Sequence, residues 1–279
     1  MSYVVRKIRR LMLLLSKIAT PPARRSIRHL RLEKFEMLVQ ANETVGRHLG
    51  LFGVFEATES AFFRSVIRDG DICFDVGGNV GYFSMLLAAL APRGAIHVFE
   101  PIPLNAALIA ANRELNGYTH IHISNCAVGD QAQTLNFTVS ADSAYSSLHD
   151  VGRSLAVAII PVQMITLDDY VKQHGIPRVD ILKVDVEGAE VLVIQGATQL
   201  FGDVQRAPRV VLMELYQENM VPFGTSVAEA LARMASFGYR AHTLSQDGRQ
   251  LKAYSGANPV EDYNFVFVRQ AVTPPCVEE

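Results

Sequence analysis

Cysteine is nearly absent from this chain: 279 residues hold three, Cys73, Cys126 and Cys276, widely separated and without a C-x-x-C pair. That spacing excludes a disulfide framework and a zinc knuckle, and it suits a reducing cytosol. Charged residues are also few, 19% beside 49% hydrophobic. This balance excludes disorder and supplies enough apolar surface for a full core. Long hydrophobic runs are missing from the N terminus, where Leu11–Leu15 falls far short of the ~20 residues that span a bilayer. Thr20-Pro-Pro-Ala-Arg-Arg25 lacks the small-residue cleavage site of a signal peptide, so a cytoplasmic protein is expected. There is no internal repeat and no low-complexity linker, which leaves one large domain with an appendage as the simplest organisation.

What is present begins with a charge asymmetry. Residues 1–34 hold ten Lys or Arg against the single acid Glu33, although the net charge of the chain is −2. Val4, Val5, Ile8, Leu11, Met12, Leu15 and Ile18 recur at helical spacing with cations between them. Helices that lie on anionic lipid share this pattern, and so do solvated helices that pack on a core or a partner. The expected organisation is a basic helical extension over residues 1–50 and a core domain over 51–279. Residues 1–20 either touch an anionic membrane at its inner face or pack on protein, and no nucleic acid partner is expected.

From residue 51 onward, short β-branched runs alternate with helical patterns, the mark of a parallel sheet wrapped by helices. Strands are expected at 71–76, 95–100, 120–124, 179–184 and 209–215, with an antiparallel pair at 239–244 and 264–268 closing a seven-stranded sheet. Alternating segments at 135–139 and 157–162 predict an inserted hairpin around a polar loop.

Open parallel sheets bind ligands beyond the carboxyl ends of their strands, and the first βα loop lies there. That loop is Asp75-Val-Gly-Gly-Asn-Val-Gly81. Gly77 and Gly81 permit close backbone approach, and Asn79 tolerates positive φ. A dinucleotide fingerprint requires glycine where Asn79 and Tyr82 stand, so a nicotinamide or flavin site is disfavoured. Asp75 suits a cationic ligand group such as a methionyl ammonium. Glu100, ending the second strand, can accept ribose hydroxyls, and Asn125, Cys126 and Ala127 at the exit of the third strand would lie beside an adenine.

Several segments together resemble the FkbM family of methyltransferases: Gly70–Gly81, Val98-Phe-Glu-Pro101, Ala127-Val-Gly-Asp130, Ser146-Ser-Leu148, Thr166-Leu-Asp-Asp169 and Ile181-Leu-Lys-Val-Asp-Val-Glu-Gly-Ala-Glu190. The resemblance covers about residues 51–269. It implies an α/β fold with a seven-stranded, mostly parallel Rossmann-like (class I) methyltransferase sheet carrying helices on both faces. It also implies S-adenosyl-L-methionine as cofactor and methyl transfer to a hydroxyl of a sugar, glycan, glycolipid or natural product. Two positions depart from the family: Gly78 stands where Ala is usual, a change expected to be harmless, and Tyr216 where His is frequent.

Methyl transfer from a sulfonium is an in-line displacement, so the acceptor oxygen must be aligned and must lose its proton during attack. Asp185, Glu187 and Glu214 follow the fourth and fifth strands and are the catalytic candidates. Without histidine partners they could hold a hard divalent cation or supply a general base, and the base is the expected role. In the competing view Lys183 and Glu214 neutralise each other in the sheet, and Gly188-Ala189-Glu190 only starts a helix. The loop Ser140–Asp150, with Ser143, Tyr145, Ser146, Ser147 and His149, is expected either to cover an acceptor as a lid or to be merely solvated. Rival functions are a nicotinamide-dependent reductase and a non-catalytic cofactor-binding or membrane scaffold.

Overall fold

A computed structural model describes residues 26–148, 155–256 and 263–270. The basic segment 1–25, His149 and Cys276 lie outside the described residues. The first described elements are a hairpin, β1 (Ile27–Arg31) and β2 (Glu36–Gln40), followed by helices Thr44–Phe52 and Ala57–Val66. Then come β3 (Ile72–Val76), helix Tyr82–Leu90, β4 (Ala95–Phe99), helix Pro103–Asn116 and β5 (Ile121–Ser124). A small sheet follows, of β6 (Ala127–Val128), β7 (Gln133–Ser140) and β8 (Ala156–Ile165) in the order β6-β8-β7. The rest comprises β9 (Ile181–Val184), β10 (Val210–Glu214), β11 (Tyr239–Leu244), β12 (Leu251–Ala253) and β13 (Asn264–Arg269), with helices between them.

The large sheet runs β12-β11-β13-β10-β9-β3-β4-β5. Strands β5, β4, β3, β9 and β10 are parallel neighbours, while β13 is antiparallel to both β10 and β11. The sheet is therefore mixed and has eight strands, not the expected seven. The extra strand is the three-residue β12, which pairs with the outer edge of β11 and is too short to announce itself by alternation. The chain moves outward from β3 through β4 to β5, then crosses back to β9 on the other side of β3. This makes the β3/β9 boundary the reversal point at which open sheets bind ligands.

Both sheet faces are covered, and alternate residues serve opposite cores. Cys73, Ile181, Val210, Leu212 and Val266 join the cluster under helix Tyr82–Leu90, whereas Phe74, Leu182, Val211, Met213 and Phe265 join the cluster on the other face. The alternation carries Asp75, Lys183 and Glu214 onto the first face as each strand ends, with Asp75 in register with Lys183. Helix Tyr82–Leu90 is apolar all round and is buried from Tyr82 through Ala88, as its position between sheet and hairpin demands.

The expected helical extension is corrected for residues 27–40, which form the hairpin, whereas Thr44–Phe52 is helical. The hairpin's buried Met37 and Val39 share the core of helix Tyr82–Leu90. Asn112 and Asn116, on successive turns of helix Pro103–Asn116, hold both backbone groups of Leu38 and Glu36 at 2.6–3.1 Å. Burial of β2 on a helix, with its edge satisfied by amide side chains, overrides the local basic composition.

Candidate functional site

A cleft of about 600 Å³ opens at the carboxyl ends of β3, β4 and β9. Its polar groups include Gly77, Asn79, Glu100 and Asp185, and its apolar walls include Phe99, Ile102, Ala127, Val128, Phe137 and Leu148. The loop after β3 is shaped by positive φ at Gly77 (85°), Asn79 (49°) and Gly81 (89°). Gly77 packs so closely on the exit of β9 that a Cβ there would meet the Asp185 carbonyl oxygen at 1.8 Å. Glu100 Oε2 accepts from the Asn79 amide at 2.8 Å, and Oε1 accepts from the Ile102 amide at 2.9 Å. Burial pushes the Glu100 carboxyl up to about 8, against these two hydrogen bonds. Asn105 Nδ2 also donates to Oε1, at 3.4 Å, and since each carboxylate oxygen has two acceptor directions, Oε2 keeps one for a ligand hydroxyl.

A second cavity of about 800 Å³ adjoins the first and shares Gly77, Asn79, Ala144, Asp185 and Glu187 with it. Four carboxylates line it, Glu56, Asp185, Glu187 and Glu214, beside the single ammonium of Lys183. Lys183 is 2% exposed; its Nζ lies 2.9 Å from Asp185 Oδ2 and 4.9 Å from the centre of the Phe83 ring. The Glu187 carboxylate is held by Asn219 Nδ2 at 2.5 Å. Burial, and then the charges of Asp185, Glu187 and Glu56, raise the Glu214 carboxyl well above its ordinary range. Among the described residues three non-glycines have positive φ, Glu56 (40°), Asn79 and Glu187 (55°), and all three line this cavity. Each such conformation costs roughly 1–3 kcal/mol, and such residues cluster at working sites.

The inserted loop covers the junction of the two cavities. Ser143 and Ala144 line the first, Ala144 also lines the second, and Ser147 Oγ donates to the Glu187 carbonyl at 2.8 Å. Reciprocal clasps latch this loop to helix Thr44–Phe52. Asp142 accepts from Thr44 N at 3.0 Å and Thr44 Oγ1 at 2.7 Å and pairs with Arg47 at 3.2 Å, and Glu43 accepts from the Ser143 hydroxyl.

Residues 75–241 match the family described as the methyltransferase FkbM domain. The chain belongs to this family. Methyltransferase 1 of Beauveria bassiana is 27% identical over 146 residues, 46% of this chain and 59% of that protein. The 31-O-demethyl-FK506 methyltransferase FkbM of Streptomyces tacrolimicus is 28% identical over 158 residues, 47% and 60% respectively. The hexuronic acid methyltransferase AglP of Haloferax volcanii is 26% identical over 137 residues, 49% and 54%. The chain thus spans between 54% and 60% of the length of these curated relatives. A solved O-methyltransferase from Bacillus cereus, crystallised with SAH, is 12% identical with a TM-score of 0.42, over 77% of this chain and 81% of that one.

Of the residues singled out in the sequence, Gly77, Asn79, Glu100, Ala127, Asp185 and Glu187 line the first cleft, and Glu214 lines the second with Gly77, Asn79, Asp185 and Glu187. Asp75 is placed differently from the expected ligand contact. It is fully buried, lines neither cavity, and accepts from Ser84 Oγ at 2.6 Å beneath the loop. Gly81 borders Ile109, and Asn125 braces the Glu100 and Pro101 carbonyls at 2.8 and 3.0 Å. Cys126 is buried in the second core cluster. These three shape the cleft without lining it. Lys183 pairs with Asp185 instead of Glu214. Tyr82 and Phe83, at the start of helix Tyr82–Leu90, also wall the second cavity. Sequence reasoning missed Thr44, Val45, His48, Phe55 and Glu56 there, and no motif or periodicity marks them.

Glycine at position 78 is not interchangeable with the family's usual alanine, because a Cβ would fall 2.4 Å from Val98 Cγ1. Gly78→Ala is expected to cost about 1–3 kcal/mol through overpacking. The double variant Gly78→Ala/Val98→Ala should recover part of that loss. Chemical denaturation of both variants checks this, and additive losses would show that the two positions do not compensate.

Proposed function

We propose that this protein is an S-adenosylmethionine-dependent O-methyltransferase acting on a hydroxyl of a sugar, glycan, glycolipid or natural product. The observation that carries the proposal is the pair of adjoining cavities, one suited to a nucleoside and the other lined by carboxylates, with Asp185 and Glu187 in their common wall.

The first cleft fits the cofactor in its donor set. Glu100 would hold a ribose hydroxyl, the walls from Phe99 to Leu148 would flank the base and exclude water, and the Gly77–Asn79 backbone would lie along the remainder. S-adenosylmethionine, when bound, supplies an electrophilic methyl group on a sulfonium. Asp185 reaches both cavities and a quarter of its side chain is exposed, so it is the carboxylate best placed to take the acceptor's proton. Lys183 fixes one of its oxygens, and Asn219 fixes Glu187 beside it. Holding both carboxylates in place before the reaction is the positional contribution such a transfer needs.

A divalent cation suits these residues less well. One oxygen from each of Asp185, Glu187 and Glu214 lies within 4.8 Å of the others, a spacing that a hard cation can bridge. Asp185 Oδ2 already binds Lys183, however, and Glu187 Oε2 already accepts from Asn219.

Titration calorimetry with S-adenosylhomocysteine tests the proposal: one equivalent should bind, and NADH should not compete. Preferential binding of NADH would favour a reductase, and binding of neither nucleotide would leave a scaffold as the better reading.

A further inference from the structure

We infer that the wall built by residues 44–56 selects the acceptor by charge, admitting neutral or cationic hydroxyl compounds and rejecting those that carry a carboxylate or phosphate. This inference rests on the methyltransferase reading above and adds a substrate class and its selecting residues. The wall comes from helix Thr44–Phe52 and the turn after it, ahead of residue 75, where the family match begins. It contributes Thr44, Val45, His48, Phe55 and Glu56 to the second cavity.

Charge is the first part of the argument. Four carboxyl groups face the cavity, two of them, Glu56 and Glu214, raised well above their ordinary range by burial and then by neighbouring carboxylates, and its one ammonium is already paired with Asp185 at 2.9 Å. Arg47, the nearby guanidinium on the same helix, is engaged by Asp142 at 3.2 Å. An anionic acceptor would leave water for a pocket walled by carboxyl groups, with no unpaired lysine or arginine among the described lining residues, and that juxtaposition is a strong device of exclusion. A hydroxyl is received well, because an ionised carboxylate accepts, a protonated carboxyl also donates, and a hydroxyl can do either. An ammonium on the acceptor would be attracted.

Shape is the second part. Phe55 stands edge-on to His48 (5.6 Å, 80°) and to Tyr82 (5.9 Å, 77°). The wall therefore sets an aromatic surface beside the carboxylates, a combination that suits a compound with apolar C–H faces and hydroxyl edges. The latch from Asp142 to Thr44 and Arg47 fixes this wall against the inserted loop, so the selecting groups are held in position.

The test uses the full chain saturated with S-adenosylhomocysteine and a pair of probes that differ only at C6, methyl β-D-glucopyranoside and methyl β-D-glucopyranosiduronate, with D-glucosamine as the cationic probe. Binding is read by saturation-transfer NMR and competition. The uronate should bind at least about 30-fold more weakly than the glucoside, and glucosamine at least as well as the glucoside. Glu56→Lys, which sets a cation in this wall, should narrow the gap between the first two. Uronate binding equal to glucoside binding in the wild-type chain overturns the inference without need of any variant. Absence of all three sugars from the loaded protein overturns it too. Failure of S-adenosylhomocysteine itself to bind would instead remove the methyltransferase reading on which this one stands.

Discussion

Asp185→Asn is expected to lower kcat by about 10²- to 10⁴-fold, the range that a positioned general base contributes, while leaving S-adenosylhomocysteine binding nearly unchanged. The substitution keeps the shape of the side chain and removes its ability to accept a proton. The acceptor's KM should move little, because a group that works only as the proton leaves contributes to the transition state and not to ground-state binding. Lys183, buried at 2% exposure, would lose its closest anion, so some loss of stability is also expected. Asp75 lies next to it in register, and both Asp75 and Glu56 attract its charge, which should prevent the ammonium from being wholly uncompensated. Thermal unfolding of the variant separates the two effects: a folded, nucleotide-binding, inactive protein supports the base, and full activity removes Asp185 from the chemistry.

Much of the first cleft is legible in the chain, because the relevant signals are local. Val-Gly-Gly-Asn after an apolar strand specifies a turn with positive φ, and the observed turn has it at Gly77 and Asn79. Glu100 ends a strand of β-branched and aromatic residues, and its carboxylate lies where the next strand's loop begins. The second cavity is hidden from the sequence because its contacts are long-range. Glu56 meets Asp185 and Glu214 only after the β3 to β10 portion of the sheet has assembled, and nothing near Glu56 in the chain records that meeting. Asp75 lies outside both cavity linings for a different reason. Side chains alternate along a strand, and position 75 follows Cys73 onto the face under helix Tyr82–Leu90, where Ser84 receives it. The identity of Lys183's partner depended on a turn whose geometry its sequence does not fix. The Glu187 backbone at φ 55° and the amide bonds from Val186 and Gly188 to Glu190 set the course of the chain after Asp185.

Glu100 gives the second large effect, and its sign follows from burial. With its carboxyl raised to about 8 from an ordinary 4.5, the neutral form dominates near pH 7 in the folded protein. Its contribution to folding stability is therefore fully present below about 4.5 and lost as pH rises through about 8. Ligand binding should run the opposite way, because ribose hydroxyls donate and need the ionised acceptor. Affinity for S-adenosylhomocysteine should fall about tenfold for each pH unit below 8, with protons released on binding. Glu100→Gln should weaken binding by about 10- to 100-fold at pH 9, since an amide loses charge-assisted bonds and presents a donor toward the Asn79 or Ile102 amide. The variant should also lose most of the pH slope. Glu190, pushed up to about 7 by burial, titrates in the same window, but it lies outside the lining of both cavities and accepts the amides of Val186 and Gly188. Any slope left in Glu100→Gln therefore measures the other raised carboxyls, Glu190 in the turn after β9 and Glu56 and Glu214 in the second cavity. A variant that kept the full wild-type slope would show that Glu100 is not the group that receives the ribose.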